Sequence, residues 1–202
     1  ERQKITLLYD GDKKYIQKRI YDDKCEICET IKKINHPCIP KIISVELDCD
    51  TIVTEEYIDG KDLGSLMNEQ FVFTKKQLLS IAEQLASAMS ELHKFNIIHR
   101  DIKPDNIIMN KSGHIWLIDY DIARIKRTEL KKDTEQNGTF GYAPIEQYGI
   151  MPTDFKTDIY AFGATMLTLL KYSGFKGSLS RIAKKCTSLD PQKRYQSAQK
   201  LK

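Results

Sequence analysis

The chain has 202 residues, 41% of them hydrophobic and 30% charged, enough to bury a substantial core as one large domain or as two small lobes. Its 32 basic and 28 acidic side chains leave a net charge of +4 and mix along most of the length, a balance that does not call for nucleic acid. No apolar run reaches membrane-spanning length, since the longest apolar-rich stretch, residues 159–170, is broken by Gly163 and two threonines.

The opening Glu-Arg-Gln-Lys leads straight into a strand-like run rather than the apolar core of a signal peptide. The expectation is a soluble cytoplasmic chain, or the cytoplasmic part of a longer one, with no membrane contact of its own. Five cysteines, four of them (Cys25, Cys28, Cys38, Cys49) in the first quarter, read as the reduced thiols of that compartment. Cys25 and Cys28 have the spacing of half a zinc site, but no second pair completes it.

Residues 5–9 and 15–21 are strand-like runs around Asp10-Gly11-Asp12, and Asp-Gly between such runs signals a hairpin because the turn needs positive φ. In the second run, alternation puts Ile16, Lys18 and Ile20 on one face. A lysine set between inward isoleucines suits a phosphate, although most strand lysines face solvent. A short helix follows Asp22-Asp23, with Ile27, Ile31 and Ile34 on one side, and ends near Asn35-His36-Pro37. Residues 41–46 and 51–56 form a second strand pair across Asp48-Cys49-Asp50.

After Gly60 the pattern turns helical. Over residues 75–95, Leu78, Ala82, Leu85, Met89 and Leu92 recur at spacings of three and four, with Thr74 as N-cap. Residues 107–109 and 114–118 are short strands, 124–138 is polar without periodicity, and helices resume over 157–171 and 179–188. The order is a small sheet with one helix, then a mainly helical body, divided near residues 57–60.

Between the long helix and the next strand lies His99-Arg100-Asp101-Ile102-Lys103-Pro104-Asp105-Asn106. It places a carboxylate, a cation and a carboxamide within six positions on a loop broken by proline, a set that can align a hydroxyl with a metal-bound phosphate. At this octapeptide the chain resembles the eukaryotic-type serine/threonine protein kinases. The resemblance implies an α+β bilobal fold, with residues 1–56 as the N-terminal lobe and 57–202 as the C-terminal lobe. It implies ATP as phosphate donor, magnesium (or manganese in its place) as cofactor, and a protein substrate. Oligomeric state and substrate identity are left open.

Carried over by position, Asp101 accepts the substrate hydroxyl's proton, Lys103 neutralises the γ-phosphate and Asn106 holds a metal, while His99 is structural. Arg100 beside Asp101 implies control by a phosphorylated activation segment, with Thr128, Thr134 and Thr139 as candidate acceptors. The basic cluster Arg124, Lys126, Arg127, Lys131 and Lys132 reads as a solvated loop. Asp119, thirteen residues beyond Asn106, is the second metal ligand, within Asp119-Tyr120-Asp121 where the family has Asp-Phe-Gly. Asp121 either restricts how this segment flips or sits near the metals.

Gly138 to Gln147 resembles the end of the activation segment with its proline one place early, at Pro144. Glu146 there has its family partner in Arg194 of Asp190-Pro-Gln-Lys-Arg194, a structural pair. Asp158, in Thr157-Asp158-Ile159-Tyr160-Ala161-Phe162-Gly163, is implied to hold backbone amides of the catalytic loop. In the small lobe, Lys18 would meet the α- and β-phosphates, and Ile16 stands where the family prefers alanine near adenine.

The carboxylate partner of Lys18 is expected on the helix. Counting back from His36-Pro37 lands on Ile27, flanked by Glu26 and Glu29, and Glu26 is taken as the partner. Residues 54–60 resemble the hinge, with backbone groups of Glu56 and Ile58 for adenine and Glu55 as an unusually polar gatekeeper. The glycine-rich phosphate loop expected before Ile5 is absent or diverged, and only residues 172–177 stand where the family has a further docking helix. Those departures leave a kinase-shaped scaffold with little catalysis as the alternative. Lys103, residues 138–146 and Arg194 set the chain apart from small-molecule phosphotransferases. The resemblance is to a minimal kinase, and the lysine- and isoleucine-rich composition points to a bacterial one.

Overall fold

The computed structural model describes residues 4–20, 24–126, 138–148 and 152–201. The first strands, β1 (Lys4–Asp10) and β2 (Lys13–Ile20), form the expected hairpin, with Gly11 at φ +58° in the turn. A helix, α1 (Cys25–Lys32), turns Ile27, Cys28 and Ile31 inward, and Ile34 extends that buried stripe just past its end. Two further strands, β3 (Ile42–Asp48) and β4 (Asp50–Glu56), complete an antiparallel sheet of order β1-β2-β4-β3. Ile20 and Val53 from the sheet close against Ile27, Ile31 and Ile42.

The larger body is helical. A two-residue strand, β5 (Lys61–Asp62), opens into α2 (Leu63–Asn68), whose first turn is capped by Asp62 accepting the Ser65 N–H at 2.7 Å. The long helix α3 (Lys75–Lys94) starts as expected at Thr74. Thr74 Oγ1 accepts from Gln77 N at 3.2 Å and Gln77 Oε1 accepts from Thr74 N at 2.9 Å, a reciprocal capping box. Its stripe Leu78, Ile81, Leu85, Met89 and Leu92 is fully buried with Ile159, Phe162, Met166 and Leu169 of α4 (Phe155–Tyr172).

Short strands carry the loops between these helices. β6 (Ile97–Ile98) pairs with β9 (Arg124–Ile125), and β5 pairs with β7 (Ile107–Met109), which pairs with β8 (Ile115–Leu117). Neither β6 nor β9 is legible as an alternating run, since each is two residues long and is defined by its partner. The last helix, α5 (Ser178–Cys186), follows α4 after only residues 173–177. It packs so closely that a Cβ on Gly163 would lie 2.5 Å from Cys186 Cβ. The arrangement is a bilobal α+β fold, an antiparallel sheet with one helix above a helical body. Among the described residues no helix is long and apolar enough to cross a membrane, and none of the five cysteines is in a disulfide.

Candidate active site

The octapeptide leaves β6 and is held from below by α4. That helix begins at Phe155 rather than Thr157, with Asp154 as its cap accepting from Lys156 N at 2.7 Å. Asp158 is therefore inside the first turn, and its carboxylate is released from capping duty. It accepts from His99 N at 2.9 Å and Arg100 N at 2.8 Å, and also meets His93 Nε2 at 2.8 Å. Burial opposes its ionisation, but the His93 hydrogen bond and charge, with the neighbouring amide, hold its pKa below the ordinary carboxylate value.

Seven positions on, on the same face of α4, Thr165 Oγ1 donates to Ile102 O at 3.1 Å. Gln147 Nε2 donates to Arg100 O at 2.6 Å. These bonds fix Arg100 at φ +70°, a left-handed backbone that a non-glycine residue adopts only under such restraint.

On this base the side chains converge. Asp101 Oδ1 accepts from Thr139 Oγ1 at 2.7 Å, and Asp101 Oδ2 accepts from Asn106 Nδ2 and from Lys103 Nζ, both at 2.8 Å. Lys103 Nζ also donates to Thr139 Oγ1 at 2.8 Å, closing a ring of Asp101, Lys103 and Thr139. Thr139 was expected among the phosphoacceptors. Its hydroxyl is instead bound between the carboxylate and the ammonium, where a phosphate would be driven against Asp101. Thr128 and Thr134, with Arg127, Lys131 and Lys132, lie outside the described residues.

His99 is fully buried and packs at 5.1 Å from the Tyr120 ring. Its Nδ1 accepts from Asp101 N at 3.3 Å while Nε2 lies 3.2 Å from Ile118 O, the pattern of a neutral ring that donates through Nε2. Burial lowers its pKa against the pull of Asp158, Asp119 and Asp101, which suits a structural role. Tyr120 keeps the ring expected of phenylalanine and satisfies its added hydroxyl by donating to Leu117 O at 2.9 Å.

Asp119 stands at φ +69° beyond β8, and Ile118 N donates to Asn106 O at 2.9 Å, tying its segment to the catalytic loop. Asn106 uses Nδ2 on Asp101, so its carbonyl oxygen is the atom left to a metal. One carboxylate and one carboxamide oxygen are hard ligands that match magnesium, which keeps waters and takes substrate phosphates for its other positions. Among the described residues no group of three or more histidine, cysteine or acidic side chains could hold a metal by itself.

Lys18 faces inward as alternation required, and is buried. Its partner corrects the expectation. Lys18 Nζ lies 2.6 Å from Glu55 Oε1, whereas Glu26 is exposed on α1 and Glu29 Oε1 lies 3.7 Å from Lys32 Nζ. The inward stripe of α1 runs through Ile27, Cys28 and Ile31, and a helical rotation of about 100° per residue carries Glu26 off it. Burial works to lower the lysine's pKa, and Glu55, with Asp119 and Asp121, outweighs it, so the pKa is raised. Where the hinge is expected, Glu56 N donates to Lys41 O at 3.0 Å, and Ile58 lies in the connection to β5.

Behind the site, Glu146 and Arg194 meet through two bonds, Nη1–Oε1 at 2.5 Å and Nη2–Oε2 at 3.1 Å, both residues buried. Arg194 also donates to Ser188 O at 2.8 Å and Lys156 O at 2.9 Å, linking the turn at Ile145–Tyr148 to α4.

A family model described as the protein kinase domain matches residues 12–199. The chain belongs to the protein kinase family. It is 36% identical over 194 residues to R436 of Acanthamoeba polyphaga mimivirus, whose name assigns it provisionally to the serine/threonine-protein kinases, with 86% of this chain and 67% of that one covered. It is 32% identical over 142 residues to serine/threonine-protein kinase 36 of Pongo abelii, covering 70% of this chain and 11% of that one. A third relative, PknB of Lactococcus lactis subsp. lactis, bears a similarly provisional serine/threonine-kinase name and is 30% identical over 140 residues, covering 68% and 22%. This kinase domain is of the eukaryotic serine/threonine type, and it spans a small part of the last two relatives.

Several functional contacts carry little signal in the sequence of this kinase. His93, Gln147 and Thr165 sit in ordinary helical or turn contexts; the bonds of Gln147 and Thr165 to the catalytic loop, and of His93 to Asp158, exist only once α3, α4 and residues 138–148 are docked. The spacing of Asp158 and Thr165, two helical turns apart on one face, is the one pattern that marks them in advance.

Proposed function

We propose that this kinase domain transfers the γ-phosphate of ATP to serine and threonine hydroxyls of protein substrates, in the cytoplasm, and phosphorylates threonines of its own activation segment at Thr128 and Thr134. The observation that carries this is the Asp101–Lys103–Thr139 ring with Asn106 bonded to the same carboxylate. Asp101 Oδ1 is hydrogen-bonded to an alcohol in the resting site, which is the contact a substrate hydroxyl needs as its proton leaves.

Asn106 and Asp119 would hold magnesium, which would supply charge neutralisation on the phosphates. Lys103 turns from Thr139 and Asp101 toward the transferring phosphoryl group, Lys18 meets the α- and β-phosphates, and Asp101 takes the hydroxyl proton. Backbone groups of Glu56 and Ile58 would meet the adenine beside Ile16. Residues 1–56 and 57–202 form the two lobes between which ATP lies. Five cysteines outside any disulfide and the use of ATP support a reducing, cytoplasmic setting.

Incubation with magnesium and ATP, followed by phosphosite mapping by mass spectrometry, tests the proposal. Phosphate should appear on serine or threonine of the chain or of an added protein, and disappear in Asp119→Asn. A folded wild-type protein that transfers no phosphate to either would overturn it.

A further inference from the structure

Lys18 and Glu55 belong to neighbouring strands of one sheet. The register pairs Ile16 with Glu55 and Lys18 with Val53 across β2 and β4, so Glu55 is the diagonal neighbour of Lys18 on the inward face. Diagonal positions lie about 7–8 Å apart at the backbone, within reach of two long side chains. The side chains close that gap to 2.6 Å, with only 11% and 7% of their surfaces exposed. A buried ammonium without a carboxylate beside it would be strongly destabilising.

Helix α1 supplies no such group on its inward face. It presents Ile27, Cys28 and Ile31 there, and burial pushes the Cys28 thiol up to about 12, so it stays neutral. The other charges acting on Lys18 come from Asp119 and Asp121, just beyond β8.

Resting on the ATP-binding role proposed for Lys18, we infer that Glu55 is the positioning residue that orients this lysine toward the α- and β-phosphates, in place of a carboxylate on α1. One donor of the ammonium is held by Glu55, and two remain for phosphate oxygens. Because β2 and β4 are hydrogen-bonded along their length, the pair forms as the sheet folds. It does not wait for α1 to move, so displacement of α1 is not the switch that assembles this part of the site.

The test is a double-mutant cycle read by calorimetric binding of ATP with magnesium and by steady-state kinetics. Lys18→Met and Glu55→Gln should each raise the Kd and the KM for ATP about tenfold, as expected for one charge-assisted hydrogen bond, and leave the KM for protein substrate unchanged. The double variant should bind no worse than either single one, because the two act as a unit. Should Glu55→Gln not fold, Glu55→Asp, one methylene shorter but still charged, should show the same rise.

Wild-type binding of ATP with Glu55→Gln binding equally well or more tightly would overturn the inference while leaving the ATP site intact. So would additive losses in the cycle, or a loss reproduced by Glu26→Gln and not by Glu55→Gln. Failure of the wild type to bind ATP would remove the underlying function itself.

Discussion

The carboxylate of Asp158 reaches from α4 to the backbone N–H of Arg100 at 2.8 Å and thereby holds a non-glycine residue at φ +70°. The same side chain satisfies His99 N and meets His93, so its loss strands three buried donors at once. Asp158→Ala is expected to destabilise the domain by about 3 kcal/mol or more and to lower kcat further than the folded fraction accounts for. Urea unfolding beside phosphotransfer kinetics measures both. A variant with wild-type stability and rate would show that the catalytic loop holds its shape without α4.

Asp101 touches the reacting hydroxyl in the proposed mechanism, whereas its ion pair with Lys103, with 14% and 20% of the side chains still exposed, carries little of the fold's stability. Asp101→Asn should cut kcat by about 10²–10⁴-fold while shifting stability by less than about 1 kcal/mol. Thr139→Ser keeps the bridging hydroxyl and should retain activity, whereas Thr139→Val should lower kcat. Equal rates for Thr139→Ser and Thr139→Val would remove the hydroxyl from the mechanism.

Arg194 is stapled to Glu146 in a forked pair with both residues about 2% exposed. Removing one partner leaves a buried charge, so Arg194→Ala should lose about 3–5 kcal/mol of unfolding free energy. Arg194→Lys keeps the charge but not the fork, and should recover only part of that loss. Chemical denaturation of the three proteins decides it, and near-identical midpoints would contradict the role.

His99 gives a stability dependence on pH with a definite sign. Its folded pKa lies below the ordinary 6.5 because burial disfavours the charged ring, so the unfolded chain takes up a proton that the folded one refuses. Stability from this residue is complete above pH 6.5 and falls as pH drops through 6.5 toward the lowered folded value, by at most about 1.4 kcal/mol per pH unit. Thermal unfolding from pH 8 to 5 should show this decline, and His99→Phe should flatten it. An unchanged slope in His99→Phe would assign the proton elsewhere.

Local patterns of the sequence carried a large share of this molecule. The Asp-Gly hairpin, the capped stripe of α3 and the lysine set between Ile16 and Ile20 were all legible, because periodicity and turn chemistry act over a few residues. The catalytic octapeptide, Asp119, Asp158 and the Glu146–Arg194 pair were legible as motifs, each with a separate chemical task.

What tertiary structure alone decided were the partners. Lys18 found Glu55 rather than Glu26, since sheet register sets which side chains stand diagonal to one another, and α1's phase turns Glu26 away. Thr139 became a bridge to Asp101 only when residues 138–148 folded over the catalytic loop. Which amides the Asp158 carboxylate holds, those of His99 and Arg100, was decided only by the docking of α4 on the catalytic loop. Spacing along a chain determines which face a residue occupies; what it meets there depends on a second element, often 40 or more residues away, whose docking no local pattern encodes.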